Sequence, residues 1–213
     1  MTAVFSDFRL YVITDPILGL GRSHAEQAEA AARGGADMVQ VRDKTLPPKL
    51  LEKSAKEAAG ALAPFSRTRF VLNDWPLLAK DIGAQGLHVG QGDLSVSEAR
   101  GLSPESFVGK STHSLEQALE AEQEGPDYLA LGPVYPTQTK RAGSPPVGLG
   151  VLEAVATRLK IPWVAIGGIN LGNLSDVMNA GASRVAVVSA AVGALDIEGA
   201  CREFSARIRT HGR

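Results

Sequence analysis

Short apolar runs recur along this chain, and nearly every one ends in polar or charged residues. Residues 39–41 lead to Arg42 and Lys44, 70–72 to Asn73 and Asp74, and 87–89 to Gln91 and Asp93. Later, 129–131 run into a glycine- and proline-rich stretch, 164–166 into Gly167-Gly168, and 185–188 into Ser189. Runs this short and continuous predict strands buried on both faces, as in a parallel sheet covered by helices. Eight can be counted, at 10–13, 38–41, 70–72, 86–89, 106–109, 128–131, 163–166 and 185–188. Amphipathic segments at 25–33, 50–62, 115–123, 149–158, 173–180 and 199–208 lie between or after them. This alternation predicts an α/β fold, and eight units predict closure into a (β/α)8 TIM barrel whose C-terminal face carries the chemistry. A doubly wound open sheet is the alternative, and it too would place ligands at the carboxyl ends of its strands.

The punctuation agrees with this count. Glycines at 34–35, 83, 125 and 181 each follow a helical pattern and precede a strand, where a helix C-terminus favours them. No linker, charge run or low-complexity segment breaks the series, so one domain over 1–213 is expected, near the lower size limit of a complete barrel. Basic and acidic residues number 22 and 23, a net charge of -1, and aromatics make up 5%. That balance argues against a nucleic-acid partner. Cys201 is the single cysteine and sits among Ile197, Ala200 and Phe204, which reads as packing rather than as a nucleophile. The N-terminus shows no basic leader, and no apolar run approaches the roughly 18 residues of a membrane span. A cytoplasmic protein without a membrane partner is expected, and a homodimer is left open.

The candidate chemistry divides into two halves. Gly167-Gly168 and Val188-Ser189 follow the seventh and eighth runs, where barrels bind phosphate through backbone amides and helix N-termini. The plainer alternative makes the glycines a turn and Ser189 a helix cap. Asp74 and Asp93 end consecutive strands and are therefore expected to be neighbours in a barrel, a carboxylate pair suited to Mg2+ shared with substrate phosphates. Gln40, Arg42 and Lys44 alternate, so period two sends them to one side. Cations beside a magnesium site favour a polyphosphate, against the alternative of surface ion pairs with Asp43. Thr137, Thr139 and Lys140 come from the long irregular stretch 132–148, and a lid over 133–147 is expected. Ser111 and His113 end the fifth unit, His113 as a cap or a functional group. His88 reads as a core histidine rather than a ligand.

Six motifs in order, Val-Gln-Val-Arg-Asp-Lys (39–44), Leu-Asn-Asp (72–74), Gly-Leu-His-Val-Gly-Gln-Gly-Asp (86–93), Gly-Pro-Val-Tyr-Pro-Thr-Gln-Thr-Lys (132–140), Ala-Ile-Gly-Gly-Ile (165–169) and Val-Val-Ser-Ala (187–190), closely resemble the thiamine phosphate synthase family. The resemblance spans about 9–191. It implies a (β/α)8 barrel that joins hydroxymethylpyrimidine diphosphate to hydroxyethylthiazole phosphate in a Mg2+-assisted, dissociative substitution. It assigns Gln40, Arg42, Lys44, Asn73 and Lys140 to the pyrimidine diphosphate and Asp74 and Asp93 to Mg2+. Ser111 becomes a diphosphate or pyrimidine contact. Thr137, Thr139, Gly168, Val188 and Ser189 fall to the thiazole phosphate. Arg42, Lys44, Ser111 and Lys140 are then the catalytic set. Trp75 stands where the family usually has a polar residue, and 141–146 is a proline-containing variant of the loop. A thiazole tautomerase, similar around His113, and a catalytically silent binder of thiamine phosphate are the rival readings.

Overall fold

The computed structural model describes residues 7–137 and 145–211. Eight parallel strands close into a barrel in sequence order: β1 (Leu10–Ile13), β2 (Met38–Val41), β3 (Arg69–Asn73), β4 (Gly86–Val89), β5 (Phe107–Thr112), β6 (Tyr128–Leu131), β7 (Trp163–Ile166) and β8 (Val185–Val187). The ring is sealed where Tyr11 of β1 pairs with Ala186 of β8. Closure excludes the open sheet. Helices α1 (His24–Arg33), α2 (Pro48–Leu62), α3 (Pro76–Asp81), α4 (Val96–Leu102), α5 (Leu115–Gln123), α6 (Leu149–Arg158) and α7 (Leu174–Asn179) connect the strands, and α8 (Ser189–Val192) and α9 (Ile197–Thr210) follow β8. None of these helices is long and apolar enough to cross a membrane.

Strand period two sorts the side chains into two cores. Tyr11, Ile13, Met38, Val71, Tyr128 and Val164 pack inside the barrel. Leu10, Val12, Val39, Val41 and Leu72 point outward, beneath the helices, with Cys201 and Phe204 of α9. Cys201 is fully buried and its thiol is pushed up to about 12 by that burial, so it packs as expected. Each fully buried large aliphatic side chain contributes roughly 1.5–3 kcal/mol. The Tyr128 ring sits in the barrel between Phe8, Tyr11 and Phe107 in edge-to-face contacts with centroids 5.8, 6.0 and 6.2 Å away. Gly109 leaves room for it, because a Cβ there would stand 2.1 Å from Tyr128 Cζ.

Several boundaries differ from expectation for local reasons. Strand β5 runs on through Lys110-Ser111-Thr112, because Lys110 meets Glu124 on the outer side while Ser111 faces inward. Strand β8 stops at Val187, where Val188 turns (φ -119°, ψ -88°) into α8. Helix α2 begins at Pro48, a residue suited to a first helical position. Helices α3 and α4, of six and seven residues, were not among the expected segments.

Candidate active site

At the C-terminal ends of β2, β3 and β4, an acidic pair faces a lysine. Asp74 directly follows β3 and is held in a left-handed backbone conformation (φ 66°), its N–H donating to His88 O at 2.9 Å. Asp93 lies four residues beyond β4 rather than at the strand end, and its Oδ2 accepts the Gly90 N–H at 2.7 Å. Lys44 Nζ stands 2.9 Å from Asp74 Oδ2 and 3.8 Å from Asp93 Oδ1. Burial, then the neighbouring Asp93, push the Asp74 carboxyl above the ordinary range despite Lys44. Burial also works upward on Asp93, but its interaction with Asp74, the Gly90 N–H and Lys44 outweigh this and hold it low. The two carboxyls are therefore shifted in opposite directions, and Asp74 Oδ1 is buried without a hydrogen-bond partner among the described residues. An opening of about 340 Å3, lined by Asp43, Lys44, Leu46, Asp74 and Trp75, reaches the Asp74 member of this pair. Trp75 thus forms one wall, 39% exposed. Among the described residues no three or more His, Cys, Asp or Glu side chains converge on one point. A cation here would take its remaining ligands from substrate and water, as Mg2+ commonly does.

A second cavity of about 220 Å3 opens on the same face, and Arg42, Ser111, His113, Thr137, Gly168, Val188 and Ser189 are in its wall. The loop after β2 therefore serves both halves, with Arg42 in one and Lys44 in the other. Val188 and Ser189 lead into α8, whose first N–H groups have no intrahelical acceptor. Gly168 has a second reason to be glycine. It takes φ 66°, and a Cβ there would lie 2.7 Å from Tyr135 Cβ and 2.8 Å from Pro136 O. The loop after β6 is laced to this turn by Val134 N–H to Ile166 O (2.9 Å) and Tyr135 N–H to Gly167 O (3.0 Å). The expected lid is therefore anchored through Val134, Tyr135 and, by a 2.8 Å bond to Pro133 O, Val147. Thr139 and Lys140 lie outside the described residues. His113 Nδ1 faces the Gly132 carbonyl and its N–H donates to Gln117 Oε1 at 2.9 Å.

Gln40 and Asn73 lie lower in the barrel, 1% and 8% exposed. Neither lines the two openings. Gln40 Nε2 donates to Tyr11 Oη at 2.5 Å, Tyr11 Oη meets Tyr128 Oη at 3.0 Å, and Tyr128 Oη meets His88 Nδ1 at 2.9 Å. His88 Nε2 then meets Ser111 Oγ at 2.9 Å. His88 is buried, as expected, and it also touches Ser111, a residue of the cavity wall. Sequence reasoning missed Tyr11 and Tyr128 altogether. Both stand in apolar strand runs, and their inward register alone was the available signal. It also missed His24 of α1, whose Nδ1 meets Thr14 Oγ1 at 2.6 Å and whose Nε2 faces Asp43 Oδ2 at 3.3 Å.

A closed parallel barrel with an acidic, lysine-facing opening beside an amide-walled cavity defines a class of enzymes acting on phosphorylated small molecules. A family model described as thiamine monophosphate synthase matches residues 10–191, and the chain belongs to that family. It is 44% identical over 200 residues to the thiamine-phosphate synthase of Methanospirillum hungatei, covering 93% of this chain and 97% of the relative. The Chloroflexus aurantiacus thiamine-phosphate synthase is 43% identical over 202 residues, 95% of this chain and 93% of its own. Among solved structures, thiamine phosphate pyrophosphorylase from Pyrococcus furiosus superposes with a TM-score of 0.86 at 34% identity, over 95% of this chain and 96% of that one.

Proposed function

We propose that this transferase is a thiamine phosphate synthase that joins hydroxymethylpyrimidine diphosphate to hydroxyethylthiazole phosphate, releasing pyrophosphate. The observation that carries the reading is the placement of the Lys44-facing Asp74 and Asp93 beside the cavity walled by Gly168, Val188 and Ser189. A diphosphate and a monophosphate then have separate places on one face. The bond from the pyrimidine methylene to the diphosphate oxygen breaks with its electron pair leaving on pyrophosphate. The thiazole nitrogen lone pair forms the new bond to that methylene, and the positive charge ends on the thiazolium ring.

Asp74 and Asp93 would hold Mg2+. The buried, unpartnered Asp74 Oδ1 and the two-carboxylate donor set suit a hard cation that completes its shell with phosphate oxygens and water. When bound, the ion supplies positive charge to the leaving diphosphate. Lys44, half-exposed and ion-paired with Asp74, neutralises the same charge from beside the acidic pair, and Arg42 does so from the wall of the second cavity. Lys140 and Thr139 keep the roles the family motif assigns them. The amides around Gly168, Val188 and Ser189, with Thr137, bind the thiazole phosphate. No nucleophilic side chain is required, because the leaving group and the ring nitrogen supply the chemistry.

Incubation with both substrates and Mg2+ should yield thiamine phosphate and pyrophosphate in equal amounts, and EDTA should abolish the yield. Undiminished turnover in EDTA removes the metal from the mechanism. Isomerisation of a thiazole carboxylate phosphate without the pyrimidine substrate would make the protein a tautomerase, and binding of thiamine phosphate without any turnover would make it a binder.

A further inference from the structure

His24 joins segments that line the two openings and itself lines neither. Its place is set by the start of α1, where the Ser23 side chain accepts the Glu26 N–H and the Glu26 carboxylate accepts the Ser23 N–H. Further along α1, Gln27 Oε1 accepts the Asp15 N–H at 3.0 Å and Nε2 donates to Asp15 O at 3.1 Å, which binds this end of the helix to the end of β1. On one side of the His24 ring, Nδ1 lies 2.6 Å from Thr14 Oγ1, and Thr14 is stitched to β2 by its N–H to Gln40 O at 2.9 Å. The Thr14 hydroxyl can donate to a bare Nδ1, or accept from a protonated one and donate to Gln40 O at 3.1 Å. This contact therefore holds in either protonation state of the ring. On the other side, Nε2 faces Asp43 Oδ2 at 3.3 Å. Burial works upward on the Asp43 carboxyl, but the bonds from Thr45, His24 and Leu46 outweigh it and hold it below the ordinary range. It is thus a carboxylate that only accepts, and Nε2 carries the proton. Thr14, His24 and Asp43 are all buried.

The two Asp43 oxygens have separate tasks. Oδ1 accepts from Thr45 and Leu46, which shapes the loop from within, whereas Oδ2 reaches outside the loop to His24. Among the described residues, the loop's other polar side-chain ties to the barrel are those of Lys44 with Asp74 and Asp93, the carboxylates assigned to Mg2+. We propose that His24 is a positioning residue: it tethers the loop after β2 to α1 and β1 through Asp43, and so fixes Arg42 at the wall of one opening and Lys44 at the wall of the other. Without the His24 N–H, a buried carboxylate oxygen faces no donor and is driven toward water, carrying the two neighbouring cations with it. Resting on the function proposed above, the step that suffers is the binding of the pyrimidine diphosphate.

Asparagine and glutamine separate the two ends of the imidazole, because an asparagine amide falls near Nδ1 and a glutamine amide reaches toward Nε2. In His24→Asn, hydrogen exchange at the Thr45 and Leu46 amides of the free protein should rise about tenfold, the equivalent of one hydrogen bond, while strand amides stay within about twofold. In His24→Gln the loop amides should keep the parental rate. No change in His24→Asn overturns the proposal. So does equal acceleration in both variants, or throughout the strands, since His24 would then be a packing residue. Kinetics should follow the same order, with the KM for the pyrimidine diphosphate raised about tenfold in His24→Asn and restored to within about threefold of the parent in His24→Gln. Equal constants in parent and His24→Asn, or no recovery in His24→Gln, overturn it as well. Exchange needs no substrate, so it decides the tether even if the assay above yields no product. Long-range 1H–15N NMR on the intact parent, with the His24 ring assigned by through-bond correlation to its backbone, covers a variant that does not fold. A protonated Nε2 is expected, and a bare Nε2 overturns the tether.

Discussion

Asp74 shows how one side chain is committed by backbone and chemistry together. A residue other than glycine in the left-handed region costs on the order of 1–3 kcal/mol, and Asp and Asn are among the few types that tolerate it. Asp74→Asn therefore keeps the turn and removes only the charge. Its melting temperature should stay close to that of the parent, while kcat falls at least about 100-fold through lost electrostatic stabilisation. Turnover near the parental level at saturating Mg2+ would place the ion elsewhere. Ser189 tests the other half. It is exposed and opens α8, where an acidic side chain is well tolerated. Ser189→Asp should raise the KM for the thiazole phosphate by about tenfold or more, about 1.4 kcal/mol, and spare the pyrimidine diphosphate. Equal damage to both constants would contradict the division of the face.

At the level of the element, the loop between β2 and α2 is built to hold Arg42 and Lys44. Asp43 Oδ1 accepts the Thr45 N–H and hydroxyl, each at 2.7 Å, and the Leu46 N–H at 3.1 Å, while Oδ2 faces His24 of α1. Burial pushes the Asp43 pKa upward, but the bonds from Thr45, His24 and Leu46 outweigh it and hold the carboxylate below its ordinary range. A depressed carboxylate contributes stability that is complete above the unfolded value of about 4 and is lost as pH falls through the folded one. Asp43→Asn should thus lower the melting temperature at neutral pH by roughly 4–8 °C, from about 2 kcal/mol of charge-assisted bonding. The gap between variant and parent should close in acid below about pH 4. A constant gap across that range would mean that the charge is not what pins the loop. The turn at Gly167-Gly168 is a similar device, since its missing side chains let the loop after β6 lie against β7.

The whole molecule depends on filling a barrel of eight strands without a void. Large rings from β6 and β5 occupy the axis because β5 and β4 contribute glycines where the rings lie: Gly109 beneath Tyr128 and Gly86, whose added Cβ would stand 2.3 Å from the Phe107 ring. Gly109→Ala should destabilise the protein by about 1–3 kcal/mol through overpacking, a fall of roughly 2–12 °C. It should also displace the Tyr128 hydroxyl from Tyr11 and His88. An unchanged melting curve would show that the Tyr128 ring yields without strain. Interior packing and the site are in this sense one structure.

Much of this was legible in the chain. Eight apolar runs with polar C-terminal ends specified the barrel and its active face, because burial on both sides of a parallel strand leaves chemistry only at the strand's end. The positions of Gly167, Gly168, Asp74 and Ser189 just past their strands were readable for the same reason. Helices α3 and α4 were not, although the equally short α7 was, within 173–180. Which polar residues inside the apolar runs communicate was also beyond the sequence. Tyr11, Gln40, His88, Ser111 and Tyr128 come from five strands and up to 117 residues apart, and they meet only because closure turns every second residue toward one axis. Asp93 shows the same limit. Sequence placed it at the end of β4, whereas its position four residues past the strand, its approach to Lys44 and Asp74, and the opposite shifts of the two carboxyls were decided by burial and distance, which tertiary structure alone supplies.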